Sequence, residues 1–133
     1  MRFTIPTLLL TLLSTTTTQV LAADCNRADY FKPGAYNLYM PFRGNSIACQ
    51  LAEGNNSDAV KALQTQLNLC NGASLDVDGD FGGKTKAALK KAQKANGADD
   101  DGIYGPETRS LIKFGLYFNG NPADKVCKRL SAW

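Results

Sequence analysis

One phrase is written twice in this chain. Residues 78–89 read D-G-D-F-G-G-K-T-K-A-A-L, and residues 101–112 read D-G-I-Y-G-P-E-T-R-S-L-I. At an offset of 23 they share Asp78/Asp101, Gly79/Gly102, Phe81/Tyr104, Gly82/Gly105, Thr85/Thr108 and Leu89/Ile112. A turn followed by a helix, repeated at that distance, reads as one device used twice. The aspartate can bond to nearby backbone N–H groups, and the glycine after it supplies a positive φ. Each aromatic has the bulk to plug the space between helices. The second glycine falls at the N-cap and Pro106 at the first helical position, where proline is best tolerated. The copies should open helices over about 84–96 and 106–117.

A further helix is expected upstream. Ser57 is a suitable N-cap, Asp58 suits a helix N-terminus, and Val60, Leu63, Leu67 and Cys70 recur on one face before Asn71-Gly72. In the next helix Thr85, Ala88, Leu89, Ala92 and Ala95 form the inner face. Lys84, Lys86, Lys90, Lys91 and Lys94 gather on the outer one, as a solvated face or as contacts to wall phosphate. The third helix offers Leu111, Ile112 and Leu116 inward. The expected core is Val60, Leu63, Leu67, Phe81, Leu89, Tyr104, Leu111 and Ile112. The fold class expected is all-α, a three-helix bundle.

Residues 1–22 carry one early charge (Arg2), an apolar run from Ile5 to Leu13, and a small-residue V-L-A before Ala23. This reads as a secretory signal peptide cleaved after Ala22, because the run is shorter than the roughly 20 residues of a membrane span. The exported chain would be 133 − 22 = 111 residues with charge 14 − 12 = +2. That is too mild for nucleic acid as partner, and a soluble, secreted monomer is expected. Cys25, Cys49, Cys70 and Cys127 then form two disulfides, with three connectivities possible. In an up-down-up bundle the first and third helices end on the same side, which favours Cys70–Cys127 and leaves Cys25–Cys49. Residues 23–48 form an aromatic-rich arm in which Pro33, Gly34, Pro41 and Gly44 interrupt any regular period. The arm would pack over the core as a disulfide-held flap, or present its rings to sugar. Residues 118–133 make a short C-terminal tail.

Leu51-x-x-Gly54, then Val60-x-x-Leu63-Gln64-x-x-Leu67, then the two aspartate–glycine phrases, resemble the helical peptidoglycan-binding domain family over about residues 49–117. The sequence departs from that pattern at Ser57, where the family commonly has glycine. The first phrase also has Gly83 where the second has Pro106. The resemblance implies a three-helix module that binds bacterial cell-wall peptidoglycan, a module often attached to a wall-degrading enzyme. The alternative is a secreted, disulfide-held protein that reuses the fold to bind a protein partner.

No enzyme is expected in this chain. It has no histidine, which removes His-based triads and the usual His-containing zinc sites. Only Glu53 and Glu107 are glutamates, and the aspartates cluster in turns where capping explains them. Asp76-Val-Asp78-Gly-Asp80 looks like a calcium loop, but Phe81 and Ala87 stand where such a loop needs Gly and usually Glu. No metal or cofactor is expected. The two turns are the natural walls of a groove, with Leu75, Asp76, Asp80, Ile103, Tyr104 and Arg109 as candidate ligand contacts. Tyr104 can turn its hydroxyl outward, as Phe81 cannot. Arg109 can grip a carboxylate through two parallel bonds, its alternative being an ordinary exposed helix residue.

Overall fold

The structure, a computed structural model, describes residues 23–118 and 121–132, with backbone alone for 122–125. The expected signal peptide, residues 1–22, lies outside the described residues. In chain order the elements are β1 (Arg27–Phe31), β2 (Asn37–Phe42), α1 (Asp58–Cys70), α2 (Gly83–Ala95), α3 (Pro106–Leu111), β3 (Lys113–Phe118) and β4 (Asn121–Arg129). A 3₁₀ turn, Leu130–Ala132, closes the described chain. The four strands form one antiparallel sheet in the order β1-β2-β3-β4. The all-α expectation is therefore overturned: three helices are present, and a sheet is built from both ends of the chain.

Three local readings change with it. The arm is a hairpin: Pro33 and Gly34 lie in its turn, Gly44 lies beyond it, and Pro41 is the only breaker inside a strand, next to the end of β2. Gly34 takes a φ of 69° in the β1–β2 turn, and Leu38, Met40 and Phe42 are buried at alternate positions along β2. Pro41, which has no N–H to give, lies beyond the two residues at which β2 pairs with β3. The third helix stops at Leu111, not near 117. Ile112 is extended (φ −69°, ψ 160°), and the aromatic-rich K-F-G-L-Y-F segment continues as a strand. The C-terminal tail supplies β4, paired to β3.

Helix α1 packs against β1, β2 and β3. The pairing of β2 with β3 covers only Asn37↔Tyr117 and Leu38↔Leu116. At the next position the buried Gln66 of α1 takes the place of a rung. Its Nε2 donates to the Tyr39 carbonyl at 2.7 Å, and its Oε1 accepts from the Gly115 N–H at 2.8 Å. Without that side chain a strand donor and acceptor would be left unpaired where the strands part.

One apolar cluster joins sheet and helices, uniting Leu38, Met40, Phe114 and Leu116 with Leu63, Leu67, Phe81, Leu89, Tyr104 and Ile112. Seven of the eight expected core residues are buried; Leu111 is half-buried. Ala95, expected on the inner face of α2, is exposed.

Both expected disulfides are present, Cys25–Cys49 and Cys70–Cys127. The geometry behind the second differs from the bundle reasoning. Cys127 lies on β4 opposite Gly115, and a Cβ on Gly115 would stand 3.5 Å from the Cys70 sulfur. The β3–β4 hairpin thus lays Cys127 beneath the end of α1.

Phe81 is 1% exposed, so Phe81→Ala should destabilise the fold by about 3–5 kcal/mol. Denaturant unfolding of parent and variant measures this. Equal stability would place the ring outside the core.

Candidate functional site

Each turn is built around one buried glutamine. In the first, Gln64 of α1 is 1% exposed. Its Nε2 donates to Asp78 Oδ1 (3.0 Å), the Asp80 carbonyl (3.1 Å) and Thr85 Oγ1 (3.1 Å). Its Oε1 accepts from the N–H groups of Asp78 (3.1 Å) and Gly79 (3.0 Å). Asp78 Oδ1 also accepts from the Asp80 N–H at 3.0 Å. Gly79 holds a φ of 80°, and a Cβ there would meet the Ser57 carbonyl at 3.0 Å, so glycine is required. The Asp80 N–H and, secondarily, the Gln64 amide hold the Asp78 carboxyl below the ordinary aspartate range.

The second turn repeats this around Gln93 of α2. Its Nε2 donates to Asp101 Oδ1 (3.0 Å), the Ile103 carbonyl (2.9 Å) and Thr108 Oγ1 (2.8 Å), and its Oε1 accepts from the Gly102 N–H at 2.9 Å. All four partners stand 23 residues after their counterparts. The sequence reading found the partners and missed the two hubs. Gln64 precedes Asp78 by 14 residues and Gln93 precedes Asp101 by only eight, so a fixed offset hides the pair. Leu63-Gln64 and Ala92-Gln93 were the available signal.

The segment before α1 binds both turns through their aromatics. Leu51 and Tyr104 exchange N–H···O=C bonds of 2.8 Å each, while Phe81 donates to the Asn55 carbonyl and accepts from the Gly54 N–H, both at 2.9 Å. Tyr104 is fully buried, and burial pushes its phenol well above the usual range. Its hydroxyl is enclosed, with no hydrogen-bond partner among the described residues, so it does not turn outward.

Beyond this shared frame the copies differ. In the second, Pro106 and Glu107 open α3, and Glu107 accepts from the Asp99 N–H at 3.3 Å. In the first, Gly83 and Lys84 open α2, with no acidic residue in its first turn. The loop ahead of the first turn is longer. Asn68 holds it at Leu75, accepting from the Leu75 N–H (2.7 Å) and donating to its carbonyl (2.8 Å). Two open clefts of about 330 and about 680 Å³ lie beside this loop and share Ser74, Leu75 and Lys84. The smaller reaches Gln64, Asp76, Asp78, Asp80 and Gly83; the larger runs along α2 past Ala87, Ala88 and Lys91.

The structure thus brings together Leu75, Asp76 and Asp80 of the candidate contacts. Ile103 is exposed (41%), but on the other turn. Arg109 donates from Nη1 to the Ile47 carbonyl at 2.6 Å, tying α3 to the arm. Lys84, Lys91 and Ala87, read from sequence as residues of a helix and its solvated face, line the clefts. Among the described residues no group of three or more His, Cys, Asp or Glu could hold a metal ion, and no helix is long and apolar enough to cross a membrane.

Residues 56–112, fewer than half of the 133, match the family described as "Putative peptidoglycan binding domain". An uncharacterized protein in the bpoA1 3' region of Kitasatospora aureofaciens is 49% identical over 65 residues, 48% of this chain and 55% of that protein. A zinc D-Ala-D-Ala carboxypeptidase of Streptomyces albus G is 45% identical over 64 residues, 47% of this chain and 25% of the enzyme. The chain thus matches about half of one curated relative and a quarter of the other. A crystal structure of a peptidoglycan-binding protein from Clostridioides difficile, in complex with glutamine hydroxamate, is similar at 32% identity and a TM-score of 0.48. The similarity covers 61% of this chain and 52% of that one.

The lowered Asp78 pKa carries a pH signature. The folded state releases this proton more readily than the unfolded chain, so the stabilisation is present above about pH 3.9. It is lost as pH falls through the lower folded value. In Asp78→Asn, acid unfolding followed by circular dichroism should lose part of its pH dependence below about pH 4. Superimposable acid-unfolding profiles would remove Asp78 from the account.

Proposed function

We propose that the protein, whose residues 56–112 match the putative peptidoglycan binding domain family, is a secreted, non-catalytic module for bacterial cell-wall peptidoglycan, binding it in the cleft beside the first turn. The observation that carries the site is the inequality of the two turns. The same glutamine-centred frame is followed by Pro106 and Glu107 in one copy, and in the other by Gly83 and Lys84, which line a cleft. Leu75, Asp76 and Asp80 are the contacts retained from the sequence reading, joined by Lys84 and Ala87. Arg109 supports the frame through Ile47.

A binding role rather than a catalytic one is supported by the side chains at hand. The chain has no histidine, and its similarity to the Streptomyces carboxypeptidase covers only a quarter of that enzyme. The cleft carboxylates sit in the turn, where Asp78 is committed to holding backbone. Export is supported by two disulfides in a chain with no free cysteine among the described residues.

Co-sedimentation with purified insoluble peptidoglycan tests the reading. The protein should pellet with the wall, and Ala87→Gln, a helix-compatible change at an exposed cleft position, should lower the bound fraction severalfold with little change in stability. Arg109→Ala should lower the melting temperature while a folded sample still pellets. A parent protein that stays in the supernatant rejects wall binding. Full binding by Ala87→Gln moves the site off the cleft.

A further inference from the structure

The joined clefts carry opposite charges at their two ends. Asp76, Asp78 and Asp80 line the smaller, Lys90 and Lys91 the larger, Lys84 lines both, and a strip of Ala73, Leu75, Ala87 and Ala88 runs along the larger. Two neighbouring lysines are paired, Lys61 with Asp58 at 3.5 Å and Lys86 with Glu53 at 3.2 Å. Among the described residues Lys84, Lys90 and Lys91 belong to no ion pair, and neither do Asp76 and Asp80. Asp78 is already held by Gln64 and the Asp80 N–H. The available charges are therefore two carboxylates at one end, Lys90 and Lys91 at the other and Lys84 between them, with an apolar strip beside them.

This distribution selects among ligands. A polyanion would meet repulsion from Asp76 and Asp80, and an uncharged sugar chain would use neither end. A short aliphatic molecule with an amine and a carboxylate set apart complements both ends and the strip. We propose that the cleft is a zwitterion site for a short peptide bearing a free side-chain amine and a free C-terminal carboxylate. The amine lies toward Asp76 and Asp80, and the carboxylate toward Lys84 and Lys91. This rests on the peptidoglycan reading and deepens it: the part of the wall recognised is the diamino-acid and terminal-alanine end of a stem peptide rather than the glycan.

The probe is the synthetic peptide L-Ala-D-γ-Glu-L-Lys-D-Ala, compared with a form acetylated on the lysine amine and a form amidated at the C-terminus. Binding to the purified protein is followed by amide chemical-shift changes. The free peptide should shift Ser74, Leu75 and Lys84, and each capped form should bind about two- to fivefold more weakly at low salt, the range of exposed charge pairs. In Lys84→Gln/Lys91→Gln the free and amidated peptides should become equivalent. In Asp76→Asn/Asp80→Asn the free and acetylated peptides should do so. Both variants change exposed residues, and their melting temperatures verify the fold.

Equal affinity for all three peptides, or shifts confined to other surfaces, overturns the proposal. Co-sedimentation on the same samples separates the two levels. Protein that pellets with wall but does not bind the peptide rejects the zwitterion site and leaves wall binding standing. Protein that binds neither rejects both.

Discussion

Two buried side-chain amides hold the helical part of this protein in register. Gln64 and Gln93 each fix an aspartate, a turn carbonyl, a threonine and at least one turn N–H. An amide suits the position because it donates and accepts from one planar group and carries no charge to desolvate. Leucine at either place would leave a buried glycine N–H without its partner, at about 1–3 kcal/mol. Glutamate would meet the same N–H groups, yet present carboxylate oxygen to the aspartate and threonine. The hub thus constrains its neighbours: Asp and Thr recur because their side-chain oxygens answer the amide, and Gly recurs for its positive φ.

A third glutamine does comparable work between layers. Gln66 sits two residues along α1 from Gln64, and so points another way, into the gap where β2 and β3 part. The Cys70–Cys127 bridge lies near the same place, on the other side of Gly115 in the strand pairing. Asn71 extends this seam, donating to the Gln66 and Lys113 carbonyls at 3.0 and 2.9 Å. One helix is thereby bonded through successive turns to the first aspartate–glycine phrase, to the sheet and to β4. The N-terminal hairpin belongs to the same core as the helices, and β4 is joined to it through β3 and the Cys70–Cys127 bridge.

The sequence made the helical frame legible where local chemistry and period agreed. Ser57 stands at the N-cap of α1, though its side chain makes no capping bond, and α2 begins within one residue of expectation. The strands were hidden for particular reasons. In K-F-G-L-Y-F, Leu111, Ile112 and Leu116 fit a helical stripe, while Phe114 and Leu116 fit an alternating strand; only the sheet partner decides. In the arm, Pro33-Gly34 is a hairpin turn, but with Pro41 inside β2 it reads as one broken stretch. Leu75, Asp76 and Asp80 could be named from sequence because they lie beside or within the phrase. Lys84 and Lys91 were read by helical face alone and Ala87 only as a calcium-loop position, and the loop that turns that face into a cleft wall is placed by Asn68, seven residues before Leu75.

Duplication of the turn has a structural consequence that a single copy could not have. A helix entry with unsatisfied N–H groups must find partners in side chains, solvent or ligand. In the second copy proline removes one donor, and the helix behind it is only six residues long. That short helix is anchored at both ends by contacts outside the phrase, Leu51 to Tyr104 before it and Arg109 to Ile47 along it. In the first copy the helix is thirteen residues long and its entry carries Gly83 and a lysine instead. With both hubs satisfied internally, the first entry can remain open without loosening the fold, because the frame does not depend on what enters the cleft. Stability resides in the parts that the copies share. The cleft lies where they differ.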